Sequence, residues 1–413
     1  MGEPKLRFKA DDGSDFPNWE KSTVGELFVS VTTKNRGGRI TNVITNSAEY
    51  GLIPQRDYFD KDIAVEGNTD NYTVIHKGDF VYNPRKSAIA PFGPFNIYER
   101  EEDGIVSPLY TCMAPRKAEA APYLSWYFQT SRWHPYIVTH GAQGGARHDR
   151  VGMTAALMAG IPVTLPSLSE QRKIADFLSA VDAVIAVQQA EVNAWEQRKK
   201  GVMQKLFSQE VRFKADDGSE FPEWEEKTLG DLGRFYSGTG FSEKYQGYLD
   251  KPVDAYKVSD MNRPENRKEM IIANNTVDDD ILKAMKSKAI TVPCIIFAKV
   301  GAAIYAERKR MARKPFIVDN NMMAFAPNED NDFKFIYWLT ETLVFSRYAQ
   351  VGALPSYNAS DIGFIRVKLP IHIDEQRKIA DCLASMDEVI QKAKDELAKW
   401  QELKKGLLQQ MFV

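Results

Sequence analysis

Residues 170–207, EQRKIADFLSAVDAVIAVQQAEVNAWEQRKKGVMQKLF, return at 375–412 as EQRKIADCLASMDEVIQKAKDELAKWQELKKGLLQQMF, so one long helix is written twice in this chain. In the first copy Ile174, Leu178, Val181, Ile185, Gln188, Val192, Trp195, Lys199, Val202 and Leu206 step by four and three, the a/d spacing of a coiled coil. The second copy keeps the phase with Ile379, Leu383, Met386, Ile390, Ala393, Leu397, Trp400, Lys404, Leu407 and Met411, with no Pro and no Gly before Gly406. Each stripe needs a partner, and the other stripe is the nearest. No Pro lies between 167 and 221. Whatever precedes the first helix therefore sits at its start, and whatever follows Val211 sits at its far end. The second helix begins at the end of the second block and buries its seam most simply by running back, antiparallel. From Ile174 to Leu206 such a helix spans about 48 Å at about 1.5 Å per residue. A dimerisation hairpin, or two solvated surface helices, is the competing reading; the duplication weighs against it.

The duplication extends beyond the helices. Residues 7–28, RFKADDGSDFPNWEKSTVGELF, recur at 212–233 as RFKADDGSEFPEWEEKTLGDLG, at the same offset as the helices. DDG followed by FP is turn chemistry, and Trp19 and Trp224 read as core anchors at the start of each block. Between leader and helix the blocks at about 29–165 and 234–369 have diverged almost completely, yet their outlines correspond. Each has a β-rich centre, TVIHKGDFVYNPRKSAIAPFG or ITVPCIIFAKVGAAIYAERK, and then an apolar strand pair around VSPLYTCMAP or IVDNNMMAFAP. An aromatic helix (YLSWYFQTSRW or FKFIYWLTETLVF), a Gly-bearing loop and a closing strand ending in LP follow. The expected architecture is α/β: two mixed α/β domains joined by two long antiparallel coiled-coil helices in an internal pseudo-twofold duplication. The boundaries are 1–165 for the first leader and domain, 166–211 for the first helix, 212–369 for the second leader and domain, and 370–413 for the second helix.

At 413 residues and 43% hydrophobic the chain is long enough for two or three domains with real cores. No apolar run approaches the roughly 18 residues of a membrane span, and the opening MGEPKLRFKADDGSD lacks the apolar stretch of a secretory signal. A cytoplasmic protein is expected. Cys112, Cys294 and Cys382 are far apart and odd in number, which fits reduced core thiols and excludes a CxxC site. The net charge of −2 gives no global sign of nucleic acid, so a basic surface has to be local. One run stands out: Lys283, Lys286, Lys288, Lys299, Arg308, Lys309, Arg310, Arg313 and Lys314 face the single acid Glu307. It reads either as a phosphate-binding surface or as a solvated face.

No catalytic set emerges. A Walker A loop, GxSxG, HExxH and the NPP[YF] of adenine methyltransferases are all missing, and Asn83-Pro84-Arg85 lacks the second Pro and the aromatic. His134, His140 and His148 lack the companions of a metal site. What the loops do offer is hydrogen-bonding and cationic side chains on Gly-rich backbone, the mixture that meets phosphates and base edges. In block 1 these are Lys34, Arg36 and Arg39, then Arg85 and Lys86, and Gln143, Arg147 and His148 in GAQGGARHDR. Block 2 offers Lys244 and Tyr245, Lys299, Tyr305, Arg308 and Arg310, and Tyr357 with Asn358.

With leader, variable block and LP…EQRKIA helix repeated as a whole, the chain resembles the DNA specificity subunit of type I restriction-modification systems over essentially its full length. The most specific motifs are EQRKIAD with its helical continuation, GDFVYNPR, GIVSPLY and FIVDNN. The resemblance implies two target recognition domains, each reading one half of a split site in double-stranded DNA, with paired helices that fix the spacing and recruit two methyltransferase subunits. Restriction subunits join that assembly. S-adenosylmethionine and ATP with Mg are then expected on the partner subunits, with no cofactor in this chain, which reads as non-catalytic. A stand-alone bipartite DNA-binding regulator or structural adaptor, without a modification partner, is the alternative.

Overall fold

Each leader ends in a strand that pairs with the strand closing its block. Glu20–Thr23 runs antiparallel to Pro162–Leu165, and Glu225–Thr228 to Arg366–Leu369. Each block is thereby closed at the point where its long helix departs. The computed structural model describes residues 4–58, 69–141, 149–350, 352 and 354–412. It divides into unit 1, Met1–Ala190 with Lys394–Val413, and unit 2, Glu191–Ala393.

Both units are mixed α/β and share one plan. In unit 1 an antiparallel sheet has the order Phe28–Ser30, Thr111–Pro115, Phe80–Tyr82, Phe95–Ile97. In unit 2 the same order is filled by Gly233–Ser237, Met322–Pro327, Cys294–Ala298 and Lys309–Ala312. A second sheet in each contains one parallel pair, Val43–Ser47 with Gly104–Val106 and Val253–Tyr256 with Phe316–Val318. The apolar strand pair expected around VSPLYTCMAP is therefore split between two sheets, and so is that around IVDNNMMAFAP. The physical reason is burial: Ile105, Val106, Ile317 and Val318 are all sealed from water, so each of these strands needs a covering neighbour that a hairpin alone would not supply.

The aromatic helix forms the middle layer. In Ala121–Gln129 the residues Tyr123, Leu124, Trp126, Tyr127 and Phe128 are buried, a helix apolar around most of its circumference. Phe128 meets Phe95 of the sheet at 4.1 Å between ring centroids, while Tyr123 meets Phe412 at 5.3 Å. In unit 2 the helix Phe333–Glu341 shares one core with Phe297 and Phe325 of the sheet and with Leu206, Ile379 and Leu383 of the long helices.

The long helices run Leu168–Phe207 and Ile373–Met411. Unit 1 holds the start of the first beside the end of the second: Ile174, Leu178 and Val181 share a core with Leu407 and Met411. Unit 2 holds the converse, Leu206 with Ile379 and Leu383. The packing is antiparallel in each. Of the other seam positions Val192, Ile390 and Leu397 are buried, and Ile185, Trp195, Met386 and Trp400 partly so. The two lysines in the seam are ion-paired, Lys404 with Asp182 at 2.7 Å in unit 1 and Lys199 with Asp387 at 2.5 Å in unit 2.

Trp19 and Trp224 do more than pack. The indole of Trp19 donates to Glu170 at 3.2 Å, and that of Trp224 to Glu375 at 3.1 Å. Arg7 grips Glu170 through two bonds of 3.0 and 2.9 Å, and Arg212 grips Glu375 at the same two distances. Both carboxylates are buried, so their charge is carried by a forked, charge-assisted pair. Lys173 adds bonds to Lys9 O and Asp11, repeated by Lys378 to Lys214 O and Asp216. The frame contacts thus recur residue for residue around inserts that share almost no sequence.

Candidate nucleic-acid interface

The cationic loops of unit 1 leave the sheets through asparagine-tied necks. Asn35, buried, exchanges hydrogen bonds with the backbone of Ile40 at 2.9 and 3.0 Å. Between them Gly37 and Gly38 both take left-handed backbone, at φ 77° and 61°, which turns the chain tightly and leaves Arg36 and Arg39 exposed. Lys34 sits at the foot of this loop and donates to Thr73 at 3.0 Å. The second neck is at Asn83, whose Nδ2 donates to Asn46 O at 3.1 Å and whose Oδ1 accepts from Arg85 N at 3.0 Å. Asn46 in turn donates to Val81 O at 2.7 Å and accepts from Asn96 at 2.7 Å. Gly93 lies so close that a Cβ there would fall 2.1 Å from Asn83 O.

This loop carries Arg85 and Lys86, both exposed, with Arg85 3.8 Å from the carboxylate of Asp149. It is bridged to the next loop by Lys86 N to Asp149 O and Val151 N to Pro84 O, each 2.8 Å. Arg85 and Lys86 therefore stand beside Asp149, near the end of the GAQGGARHDR segment. Gln143, Arg147 and His148 of that segment lie outside the described residues.

Unit 2 makes the same bridge with different residues. Gly301 N donates to Pro355 O at 2.8 Å and Tyr357 N to Lys299 O at 3.2 Å. Lys299 is half-buried at the base of the loop, while Tyr305 and Arg308 are exposed on it; Arg308 donates to Asn262. Lys244 and Tyr245 belong to the separate turn Glu243–Tyr245, with the ammonium 4.6 Å from the ring centroid. Arg85 and Lys86 in unit 1, and Lys299, Tyr305 and Arg308 in unit 2, thus share one loop in each unit, bonded to its neighbour, while Arg36 and Arg39, and Lys244 and Tyr245, sit on separate turns.

Three of the unit 2 candidates have structural occupations instead. Tyr357 is 4% exposed and donates to Ala298 O, so it pins the loop from within. Asn358 caps the helix Ala359–Gly363 by accepting from Ser360 N and Asp361 N. Arg310 is half-buried and spends its guanidinium on Asn266 O at 2.6 Å and Lys309 O at 2.8 Å, and burial lowers its pKa. The basic run likewise breaks up. Lys309 is 2% exposed, bound to Glu307 and Leu343 O, both at 2.9 Å, and Arg313 pairs with Glu269 at 3.3 Å. The run crosses the strand Lys309–Ala312, where successive side chains point to opposite faces, so it cannot present one continuous face.

A polar cluster in unit 2 had no signal in the sequence. Lys199 and Lys268 both reach Asp387, at 2.5 and 2.8 Å, and both lie over the Trp338 ring, at 4.2 and 4.5 Å. The residues come from four distant segments, and although the seam period includes Lys199, nothing in the sequence marks Lys268 and Asp387 as its companions. Nearby, burial pushes the Glu341 carboxyl up, with Lys309, Arg310 and Lys199 opposing that shift. Its Oε1 is sealed from water and has no hydrogen-bond partner among the described residues. The Cys112 and Cys294 thiols are pushed up to about 12 by burial. No group of three or more His, Cys, Asp or Glu residues suited to a metal ion occurs among the described residues, and no described helix is long and apolar enough to cross a membrane.

Comparison with known proteins places this geometry. The family model of the type I restriction modification DNA specificity domain matches twice, at residues 17–196 and 222–399. The MjaVIII type I restriction enzyme specificity subunit of Methanocaldococcus jannaschii is 24% identical over 266 residues, which span 61% of this chain and 61% of that relative's length. Among solved structures, the S subunit of a type I restriction-modification system from M. genitalium matches with a TM-score of 0.53 at 15% identity, covering 100% of this chain and 99% of the other. A chain from work on the complex assembly and conformational transition of the type I R-M system matches with a TM-score of 0.55 at 12% identity, covering 96% and 98%.

Proposed function

Because the chain belongs to the type I restriction modification DNA specificity family, we propose that it is the non-catalytic subunit that selects the DNA site of such a system. Each insert reads one half of a bipartite site in double-stranded DNA. The observation that carries this reading is the contrast within each unit: the contacts of Arg7, Trp19 and Glu170 recur as Arg212, Trp224 and Glu375, while the loops at the same fold position hold unrelated side chains. A frame kept constant under variable loops suits two readers of different sequences on one chassis.

In this reading Arg36, Arg39, Arg85, Lys86, Lys244 and Arg308 meet phosphate or guanine, since a guanidinium fork matches guanine O6 and N7 and any of these cations neutralises phosphate. Gln143 adds an amide of the kind that pairs with adenine. The long helices act as the spacer between half-sites and as the docking surface for two methyltransferase subunits, with restriction subunits joining them in the cytoplasm. The chemistry then belongs to those partners, which bring S-adenosylmethionine and ATP with Mg. The absence from the sequence of the methyltransferase and nucleotide-binding motifs supports that division of labour.

The test is methylome sequencing of a host that carries the intact system, before and after residues 29–165 are replaced by another recognition block. One half of the methylated motif should change and the other should stay. A swap that alters both halves refutes separable readers, and a chain that copurifies with no methyltransferase favours the stand-alone regulator.

A further inference from the structure

Two tightly held loops keep large apolar side chains in water. In unit 2 Tyr305 is 63% exposed on the loop after Cys294–Ala298, and Leu354, on the adjoining loop, is 61% exposed. Slack backbone is not the cause at Tyr305. Gly301 holds φ +80° and would set a Cβ 3.7 Å from Leu354 Cδ1, so the two loops touch. Glu307, itself at φ 48°, locks the far end by accepting from Phe345 N at 3.1 Å, Ser346 N at 2.8 Å and Lys309 at 2.9 Å.

Unit 1 repeats the arrangement with unrelated residues. Ile89 is 67% exposed in the loop after Phe80–Tyr82, the strand equivalent to Cys294–Ala298. Bonds of 3.0 Å from Ser87 N and Gly93 N to Ala90 O hold the turn around it. In both units the same loop therefore has cations near its base, Arg85 and Lys86 or Lys299 and Arg308, and a large apolar group held out beyond them. Two inserts with unrelated sequences thus both present an exposed apolar side chain at one fold position.

Resting on the reading of the chain as a DNA-specificity subunit, we propose that Ile89 in unit 1, and Tyr305 with Leu354 in unit 2, are wedges that enter the DNA at their half-sites and part a stacked base step. Apolar side chains flanked by cations are the chemistry of unstacking: the cations hold the backbone while the wedge replaces base–base contact with side chain–base contact. The steps that open most easily are pyrimidine–purine ones, so each half-site should contain or adjoin such a step.

The experiment uses the full complex with its methyltransferase subunits on duplexes carrying the methylated motif. Unstacking is read by permanganate attack on thymines and by 2-aminopurine fluorescence along each half. Wild type should show one opened step per half in addition to any base that the methyltransferase extrudes. Ile89→Ala should close only one of them, and Tyr305→Ala with Leu354→Ala only the other. Affinity should fall roughly tenfold for each, with the salt dependence unchanged because no phosphate contact is lost. Opened steps that persist in all the variants, or p-benzoylphenylalanine in place of Tyr305 crosslinking to protein and not to DNA, would overturn the wedge and leave the DNA reading standing. Loss of sequence-specific binding by the wild-type complex itself would overturn both.

Discussion

Replacing Glu375 by Ala removes the acceptor shared by the Arg212 guanidinium and the Trp224 indole at a point where the carboxylate is 1% exposed. Breaking one side of a buried ion pair costs about 3–5 kcal/mol, because the remaining charge stays unpaired. Arg212 keeps its bond to Pro222 O at 2.6 Å, and its side chain is 18% exposed, so water and the backbone recover part of the loss. The expected cost is therefore at the low end, about 3 kcal/mol. With an unfolding entropy of about 2.1 cal/mol/K per residue, a unit of roughly 200 residues should lose about 7 °C in Tm, and about half that if the whole chain melts as one. Differential scanning calorimetry of the full chain reads this directly. Glu170→Ala serves as an internal replicate, since Arg7 and Trp19 surround it with nearly the same distances. In a double-mutant cycle, Arg212→Ala added to Glu375→Ala should cost less than the sum of the two by about 2 kcal/mol. A loss below about 1 kcal/mol for Glu375→Ala, or strict additivity, would refute the claim that this pair locks leader to helix.

Arg308→Ala should flatten the dependence of log K for DNA on log salt by roughly 0.9 if the side chain meets one phosphate, whereas Arg310→Ala should leave that slope alone and lower thermal stability, because its guanidinium is spent on Asn266 O and Lys309 O. Glu341→Gln should make stability less dependent on pH. The folded carboxyl is raised by burial, so its contribution is fully present below the unfolded pKa near 4.5 and is lost as pH rises through the folded value; the variant should be unchanged at pH 4 and more stable than wild type at pH 8, and equal melting curves at both would dismiss the raised carboxyl. One heptad inserted after Gln188 and one after Ala393 keep the four-three seam and lengthen each helix by about 10 Å. At about 3.4 Å per base pair along a strand, methylome sequencing should then show a gap between unchanged half-sites longer by roughly three base pairs, and methylation at the original spacing would show that the helices are not the spacer.

The long helices and the duplicated frame were legible in the sequence because helical period and self-similarity are local or repeated signals. Ile174, Leu178, Ile379 and Leu383, read from spacing alone, are buried in the structure. The candidate DNA-contacting loops were legible only as residue types. Side-chain direction within the basic run depends on the strand Lys309–Ala312 and on the acceptors opposite it, which sequence does not reveal, so Lys309 and Arg310 looked like surface charge and are not. Tyr357 was misleading for a related reason: an aromatic in a Gly-bearing loop reads as a contact residue until its hydroxyl is found on Ala298 O. Ile89 carried no signal at all, since one apolar residue between Ala88 and Ala90 is ordinary until both loops are seen to share a fold position.

How divergent inserts can ride on an unchanged frame is answered by what touches the seam lysines. Lys404 pairs with Asp182 and lies 4.8 Å from the Trp126 ring in unit 1; Lys199 pairs with Asp387 and lies 4.2 Å from Trp338 in unit 2. Each tryptophan comes from the aromatic helix of the insert, and each lysine and aspartate from the frame. A cation over an indole is tolerant of the surrounding sequence, because it asks only for one ring at one place. The rest of that interface is apolar packing, which accepts volume-conserving change. An insert therefore needs a tryptophan at this point of its helix, an apolar face of about the right size and a closing strand to pair with its leader. Everything beyond the sheet, including the loops that carry Arg85 and Arg308, is free to vary without loosening the joint. Unit 2 adds Lys268 of its own insert to the same carboxylate at 2.8 Å, so its joint is the more heavily charged of the two and the one whose exchange should demand a matching lysine.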